Sequence, residues 1–180
     1  MRHCNGMIRK TVQIGNKVIR AACQSVTERA IRSQKIKRLI RDMVDTMRHD
    51  NLIGIAAPQI GVSLNLFVTE VRKTRVRTSV KKDDALRVFI NPKILSSSKK
   101  QTVLYEGCGS VANAALFGPV RRPAKITVQA FDASGKRFQL TTDGLLAKVI
   151  QHEYDHLRGD LCIDKFTSTK KIVHRDEYKG

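Results

Sequence analysis

The chain has 180 residues and carries 34 Lys and Arg against 16 Asp and Glu, a formal net charge of +18. This length suits one domain whose core needs no disulfide support, which argues against the small disulfide-rich classes. The sequence contains no run of about 18 apolar residues, and this excludes a membrane-spanning helix.

The positive charge lies mainly in the first half of the chain. Residues 1–100 hold 22 basic and 7 acidic side chains, whereas residues 151–180 hold six of each. Such asymmetry is typical of proteins that contact nucleic acid or another polyanion, and a merely basic surface is the alternative. Charge alone leaves both interpretations open.

The cysteines indicate a reducing compartment. They are widely spaced and form no CxxC pair, at Cys4, Cys23, Cys108 and Cys162. This pattern argues against a disulfide framework, so we expect a cytoplasmic protein. We expect a single domain over residues 1–180, with residues 1–6 a disordered extension, Met7 an alternative start, and residues 168–180 a tail.

The first predicted helix follows an irregular, extended segment over residues 7–27. In this predicted helix, apolar residues recur at helical spacing while basic residues take the other positions. The apolar stripe consists of Ile36, Leu39, Ile40, Met43, Val44 and Met47. The pattern ends near residues 49–51. Residues 52–61 are rich in small residues and contain Pro58, which predicts a tight loop that leads into a strand over residues 64–71.

The next stretch is basic and then strand-like. Lys73, Arg75 and Arg77 alternate, so on a strand they would share one face. A solvent-exposed hairpin edge, where charged side chains disfavour pairing with a further strand, is favoured there over a phosphate-contacting patch. A short strand over residues 87–91 and a polar loop over residues 96–100 are predicted to follow.

A hairpin is predicted from strand-like alternation over residues 125–131 and 137–141, on either side of a turn at residues 132–135. The sequence contains no internal repeats, long linkers or low-complexity tracts. Helices and hairpin strands without repeats favour a single α+β domain.

The last predicted helix is capped by Thr142 or Asp143, runs through residue 157, and stops at Gly159. His152 and His156 lie four residues apart and therefore share one face of this helix. They can direct two imidazole nitrogens at one metal ion. Glu153 lies beside them and can take a proton from a water held at that metal.

The third ligand is ambiguous from the residues alone. Catalytic sites usually carry three protein ligands, and two histidines leave one place open. Cys162 completes the spacing HxxxHxxGxxC, which is that of a metzincin with Cys in place of the third His. Cys108 lies 44 residues before His152, within a Gly-rich segment. Either cysteine could fill the place.

Three segments together resemble the motifs of the peptide deformylase family. They are GIAAPQIG at residues 54–61, EGCGS at residues 106–110 and QHEYDH at residues 151–156, in the family's order and at about its spacing. The resemblance covers most of residues 7–167. It implies an α+β fold with mainly antiparallel strands around a central metal-binding helix.

The resemblance also implies roles for individual residues. One divalent metal ion, Fe²⁺ in cells and replaceable by Ni²⁺, Co²⁺ or Zn²⁺, would be held by Cys108, His152 and His156. The implied activity is removal of the N-formyl group from newly made chains that begin with formylmethionine. Glu153 would take a proton from the attacking water and give it to the leaving amine. Gln59 and the Gly109 N–H would stabilise the oxyanion, and Cys162 would be a small core residue.

The same resemblance implies substrate and partner contacts. The cleft would be formed by Ile53, Gly54, Ile55, Leu104, Glu106, Leu145 and Val149. Backbone at residues 53–55 and 104–106 would clasp the peptide as an added strand. The family docks on ribosomes through a basic C-terminal helix, but the tail here is short and mixed in charge. Any ribosome contact is therefore expected through the basic N-terminal half, and no membrane contact is expected.

The chain departs from the family pattern in three places. Leu52 stands where the first Gly of the first motif is usual, Gly109 replaces the usual Leu, and residues 111–119 are about two residues longer than in common forms. None of these touches a ligand or the acid–base residue, so we expect activity. Asp155 is interpreted as an anchor paired with Arg122, with a surface carboxylate as the alternative.

Two other functions remain open from the sequence. One is an HExxH peptidase that uses Cys162 as its third ligand. The other is a non-catalytic, basic RNA- or ribosome-binding module that retains a metal site. The departures at Leu52 and Gly109 are the features that favour this last alternative.

Overall fold

A computed structural model describes residues 6–75, 80 and 82–178. The strands are β1 (Gly54–Ala56), β2 (Leu66–Thr69), β3 (Arg87–Ser97), β4 (Gln101–Gly107), β5 (Leu116–Pro123), β6 (Lys125–Phe131), β7 (Arg137–Asp143) and β8 (Val173–His174). The helices are α1 (Glu28–Ile31), α2 (Gln34–His49) and α3 (Gly144–His156). Short 3-10 turns occur at Lys17–Arg20, Ala57–Ile60, Ala112–Ala114, Cys162–Lys165, Thr169–Lys171 and Arg175–Glu177.

The strands form two antiparallel sheets. The larger has the order β1-β2-β3-β6-β7, and the smaller has the order β4-β5-β8. All pairings between the described strands are antiparallel. This confirms the predicted α+β class with mainly antiparallel strands. In the described part of the chain, no helix has the length and apolar character needed to cross a membrane.

The larger sheet is covered by α2 on one face and by α3 on the other. Successive strand residues point to opposite faces, so Ile55 packs in the cluster with α2, whereas Ala56 packs in the cluster with α3. The buried stripe of α2 consists of Ile36, Ile40, Met43, Val44 and Met47. From α3, Ala147 and Ile150 pack with Phe67 and Phe89 of the sheet. The periodic apolar pattern of α2 is thereby explained.

The N-terminal segment is extended, as predicted, and is fastened to α2. Asp42 accepts hydrogen bonds from the Met7 N–H (2.8 Å) and the Arg9 guanidinium (2.7 Å). The Gly6 N–H donates to Asp45 (2.6 Å), so the expected disorder of residues 1–6 is wrong at Gly6, and residues 1–5 lie outside the described residues. Asp42 is 1% exposed because this segment covers it.

Two local predictions differ from the structure. β3 continues through Ser97, where a loop was predicted from residue 96, because register shifts let it keep pairing with β6. The basic residues 72–75 form no strand, and Arg72 bonds Glu70 instead (3.0 Å). Arg77 and Lys81 of that stretch lie outside the described residues.

The hairpin of β6 and β7 is confirmed, with β7 two residues longer than predicted. Of the two predicted caps of α3, Asp143 is the N-cap residue and Thr142 is not. Thr142 pairs with Ile126 in the sheet, and Asp143 stands at the cap position without a side-chain bond. Gly159 does follow the end of α3 with φ +81, and a Cβ there would lie 2.3 Å from the Arg20 carbonyl oxygen. Glycine is therefore required at this position.

Candidate metal centre and active-site cavity

Helix α3 supplies three side chains to the candidate site. Glu153 and His156 are 3% and 1% exposed, and the rings of His152 and His156 lie 5.0 Å apart between centroids. Leu145 and Val149 precede them on the same stripe and line the same cavity as His152 and Glu153. The site therefore continues an apolar helix face, and it is more deeply buried than the half-buried site that this spacing predicts.

Cys108 reaches the two histidines from the end of β4. A Cβ at Gly107 would lie 2.6 Å from the Phe117 ring, so glycine lets the strand approach that ring closely before the turn. The Cys108 Sγ lies 3.2 Å from His156 Nε2. The ligand atoms of Cys108, His152 and His156 all lie within 4.8 Å of one another. The structure thus brings together the three side chains predicted to hold a metal.

Cys162 has a different position. It is 2% exposed and packs in a small apolar cluster that also contains Cys108. It is not a member of the group formed by Cys108 and the two histidines. Cys162 and burial both raise the pKa of the Cys108 thiol. Cys162 is thus a buried neighbour of the cluster, as the resemblance implied.

Gln59 and Gly109, which were predicted to be the oxyanion donors, both lie beside Cys108. The Gln59 side chain is buried and its Nε2 lies 3.6 Å from the Cys108 Sγ. Its Oε1 accepts a hydrogen bond from the Ala56 N–H (2.8 Å), which fixes the direction of the amide. Around Gly109, the nearest atom to an added Cβ would be Leu52 Cδ1, at 3.3 Å. Leu52 and Gly109, the two motif residues that were expected to be atypical, are therefore neighbours.

A buried charge network supports the histidines. Arg122 donates to Glu106 (2.8 Å) and to Asp155 (2.8 Å), so the predicted pairing of Asp155 with Arg122 is confirmed. Glu106 Oε2 lies 2.9 Å from His152 Nδ1. This contact orients the ring and leaves His152 Nε2 for the cluster. The Glu106 carboxylate is thus engaged by protein groups, and Glu106, whose backbone was predicted to contact the peptide, lines the cavity.

The ionisable groups of the cluster have strongly shifted pKa values. Burial raises the pKa of Glu153 to about 7, with the positive charge of His152 acting against it. Burial acts on Glu106 too, but hydrogen bonds from Arg122 and His152 outweigh it and lower the pKa of Glu106 to about 2. Burial lowers the pKa of His152, but Glu106 and Glu153 outweigh it and raise that pKa to about 9 in the metal-free chain. Metal binding requires a neutral imidazole and therefore releases this proton.

A cavity of about 380 Å³ opens beside the cluster. Of the residues predicted to form the substrate cleft, six line it: Ile53, Gly54, Leu104, Glu106, Leu145 and Val149. Ile55, which was predicted to contact the peptide through its backbone, is not among the residues that line the cavity. It is fully buried, and its side chain packs in the core between the sheet and α2 because it alternates with Gly54 along β1. Only the backbone of Ile55 remains for a substrate contact.

Gly54 is needed for the position of Glu153. A Cβ at Gly54 would lie 2.5 Å from Glu153 Oε1 and 2.8 Å from the Val149 side chain. The cavity is also lined by residues that the sequence did not indicate, namely Phe117, Arg175 and Tyr178. They lie in β5 and the C-terminal segment and belong to no motif, so no local signal could have identified them.

The fold and this cluster define a metal-dependent hydrolase with a buried carboxylate beside a thiol and two imidazoles. A family model described as polypeptide deformylase matches residues 8–172. The chain is 36% identical over 170 residues to the peptide deformylase of Leptospira biflexa, covering 94% of each chain. It is 40% identical over 150 residues to peptide deformylase 1 of Clostridium perfringens, covering 83% of this chain and 91% of that one.

Solved structures agree with these relatives. A class I type b peptide deformylase from Acinetobacter baumannii bound to Met-Ala-Ser superposes with a TM-score of 0.85 at 26% identity, covering 89% of this chain and 99% of that chain. A peptide deformylase from Legionella pneumophila gives a TM-score of 0.74 at 37% identity, covering 91% and 89%. The chain belongs to the polypeptide deformylase family. It is a metal-dependent hydrolase of formylated new polypeptides, and the peptidase and non-catalytic alternatives are not favoured.

Proposed function

We propose that this chain removes the N-formyl group from peptides that begin with formylmethionine, with Cys108, His152 and His156 as metal ligands and Glu153 as the proton-transfer group. The observation that carries the proposal is the buried Glu153 carboxylate beside a cluster of one thiol and two imidazoles, in the lining of a cavity of about 380 Å³. Such a carboxylate is suited to hydrolysis rather than to a purely structural metal site.

The donor set fits a divalent transition metal. Thiol and imidazole groups are ligands that zinc and iron prefer. The 3.2 Å between Cys108 Sγ and His156 Nε2 suits two ligands of one ion. His156 Nε2 faces this sulfur, and three protein ligands leave a position for substrate or water. We propose Fe²⁺ as the resident ion, with Zn²⁺, Ni²⁺ or Co²⁺ able to replace it. When bound, the metal supplies Lewis acidity that polarises the formyl group and lowers the pKa of water.

Glu153 moves the proton. A carboxyl group with a pKa of about 7 can accept a proton from the attacking water at neutral pH. It can then give the same proton to the amine nitrogen as the bond between the formyl carbon and that nitrogen breaks. Its Oε2 is buried and makes no hydrogen bond within the described part of the chain. Formate and the free amino terminus are the products.

Two donors stabilise the negative charge that develops on the formyl oxygen. The Gln59 amide group is held next to the cluster by the Ala56 N–H. The Gly109 N–H follows Cys108 directly and forms no hydrogen bond to the described residues. Donors placed in advance around a developing oxyanion lower the barrier without reorganisation. Loss of one such donor costs a factor of about 100 to 1,000 in turnover.

The substrate lies along β4. This strand is an edge of the smaller sheet, and Leu104 is 43% exposed there. A peptide can therefore add as a strand and place its first side chain in the apolar part of the cavity. That part is lined by Ile53, Leu104, Leu145 and Val149.

The test is an anaerobic assay of formate release from a formyl-Met peptide, with metal analysis of the same sample. Formate is expected from the parent chain and is expected to be lost in Glu153→Ala with metal retained. Cys108→Ser is expected to lose metal, whereas Cys162→Ser is expected to keep it. Bound metal without any formate from the parent chain would refute the proposal and favour a binding module.

A ribosome contact through the basic N-terminal half is a second proposal. The face of α2 opposite its apolar stripe is exposed and carries Lys35, Lys37, Arg38 and Arg41. This positive face is suited to a polyanion such as ribosomal RNA. Reversing Arg72, Lys73, Arg75 and Arg77, or the four α2 cations, is expected to weaken co-sedimentation with ribosomes. Unchanged co-sedimentation in both variants would count against the contact.

A further inference from the structure

The C-terminal segment forms one wall of the active-site cavity. β8 pairs with β5, and the Arg175 N–H donates to the Ala115 carbonyl oxygen (2.7 Å). Arg175 and Tyr178 thereby line the same cavity as Cys108 and His152. This segment was expected to be a tail, and none of the functions given above uses it.

The segment is held in place by three aromatic rings, which we call the tail clamp: Tyr105, Phe117 and Tyr178. The Tyr178 ring stacks on Tyr105 (5.3 Å between centroids) and on Phe117 (5.2 Å). Tyr105 is a residue of β4, and Phe117 packs against Gly107, which precedes Cys108. Stacked rings of this kind stabilise their contact beyond simple burial. The wall is thus fastened to the strand along which the peptide is proposed to lie.

Arg175 is a weakly paired cation on this wall. Its Nε lies 3.7 Å from Asp176 Oδ1, beyond hydrogen-bond distance, and its side chain is 42% exposed. The described acidic groups that line the cavity pair with other residues or lie beside the metal cluster, and none of them pairs with Arg175. Glu106 pairs with Arg122, Asp50 contacts His49 (2.8 Å), and Glu153 is buried beside the metal cluster. The guanidinium of Arg175 is therefore available to a ligand.

We propose that Arg175 and Tyr178 form a subsite for the substrate residues that follow the first one, and that Arg175 favours peptides with a carboxylate there. A planar guanidinium offers a fork of donors that matches a carboxylate. A peptide that begins at the metal cluster and follows β4 outward passes Tyr105, on which Tyr178 stacks. The inference rests on the proposed function, because it requires a peptide in the cavity.

The test compares formyl-Met-Ala-Asp-Ala, formyl-Met-Ala-Asn-Ala and formyl-Met-Ala-Lys-Ala at low salt. The parent chain is expected to prefer the Asp peptide over the Lys peptide by about fivefold in kcat/KM, the size of one exposed ion pair. The difference is expected in KM rather than kcat and to shrink as salt is added. Arg175→Gln is expected to abolish the preference and Arg175→Glu to reverse it.

Arg137→Glu is the matched control, because it makes the same charge change at an exposed position of β7 that does not line the cavity. It is expected to keep the parent order of peptides. Tyr178→Ala is expected to raise KM about fivefold for all three peptides, since it removes stacking but no charge. A merely structural role of Arg175 would change all three peptides alike.

Binding can also be followed without turnover. The chain has three tyrosines and no tryptophan, and two of the tyrosines belong to the tail clamp. Tyrosine emission titrated with unformylated Met-Ala-Asp-Ala and Met-Ala-Lys-Ala is expected to give the same order of affinity. An unchanged order in Arg175→Glu, or a reversal in Arg137→Glu, would overturn the inference. Formate release that ignores peptide charge refutes this inference alone, whereas no formate from any peptide refutes the proposed function.

Discussion

Leu52 and Gly109 lead to a prediction about the rim of the cavity that depends on their contact. The resemblance implies that each departs from the family pattern, one by gaining a side chain and the other by losing one. A Cβ built on Gly109 would lie 3.3 Å from Leu52 Cδ1 and 3.8 Å from Thr11 Cγ2. The Leu52 side chain therefore borders the space that a side chain at position 109 would use. We infer that the two departures compensate each other.

The expected magnitudes follow from this geometry. Gly109→Leu forces extra carbon atoms against Leu52 and is expected to destabilise the fold by about 2 kcal/mol. Leu52→Gly removes a half-buried side chain and adds backbone freedom, at a cost of about 2 kcal/mol. In the double variant the new leucine can enter the space that Leu52 vacates. The loss of unfolding free energy in the double variant is therefore expected to be about 1 to 2 kcal/mol smaller than the sum of the losses in the two single variants.

The assay is urea unfolding of the parent, both single variants and the double variant, with formate release measured on the same samples. Formate release is expected to be impaired in Gly109→Leu and partly recovered in the double variant, because the Gly109 N–H lies at the proposed oxyanion position. Gly109→Ala adds only the Cβ and serves as the graded control. Its interaction free energy with Leu52→Gly is expected to be smaller than that of Gly109→Leu. Single effects that add within about 0.5 kcal/mol would refute the compensation.

Three further predictions concern other parts of the molecule. Gly54→Ala places a Cβ 2.5 Å from Glu153 Oε1 and is expected to reduce kcat about 100-fold without loss of metal, as steady-state kinetics and metal analysis would reveal. The lowered pKa of Glu106, about 2 against an ordinary 4.5, stabilises the fold fully above pH 4.5, and this stability is lost as the pH falls towards 2. The free energy of unfolding of the metal-free chain, measured with urea, is expected to fall by about 3 kcal/mol across that range. In the Glu106→Gln variant it is expected to fall much less. Asp42→Ala removes the acceptor for Met7 and Arg9 and is expected to destabilise by about 2 kcal/mol, with limited proteolysis before residue 10 as a second readout.

Much of the candidate site follows from local sequence. The spacing of His152 and His156 places both on one face of any helix, and the apolar positions before them predict which face is covered. The hairpin of β6 and β7 and the stripe of α2 follow from periodicity in the same way. These features need only neighbouring residues, so a pattern within some 15 residues determines them.

Other features depend on strand register and on where the chain returns. Glu106 meets Arg122 and His152 only because β4 pairs with β5 and lies beside α3. Asp42 reads as a surface residue of an amphipathic helix, yet it is buried because the N-terminal segment crosses over it. Such contacts join residues more than 15 positions apart, and no local pattern encodes them.

Residue spacing within single elements predicts the helix that carries His152, Glu153 and His156, and the succession of helical and strand patterns predicts the α+β class. The residues alone left Cys108 and Cys162 as equal candidates for the third ligand. The tertiary structure places Cys108 with the histidines and Cys162 in the apolar cluster behind it. It also decides that Arg175 and Tyr178 belong to the cavity wall, since only the pairing of β8 with β5 carries them there.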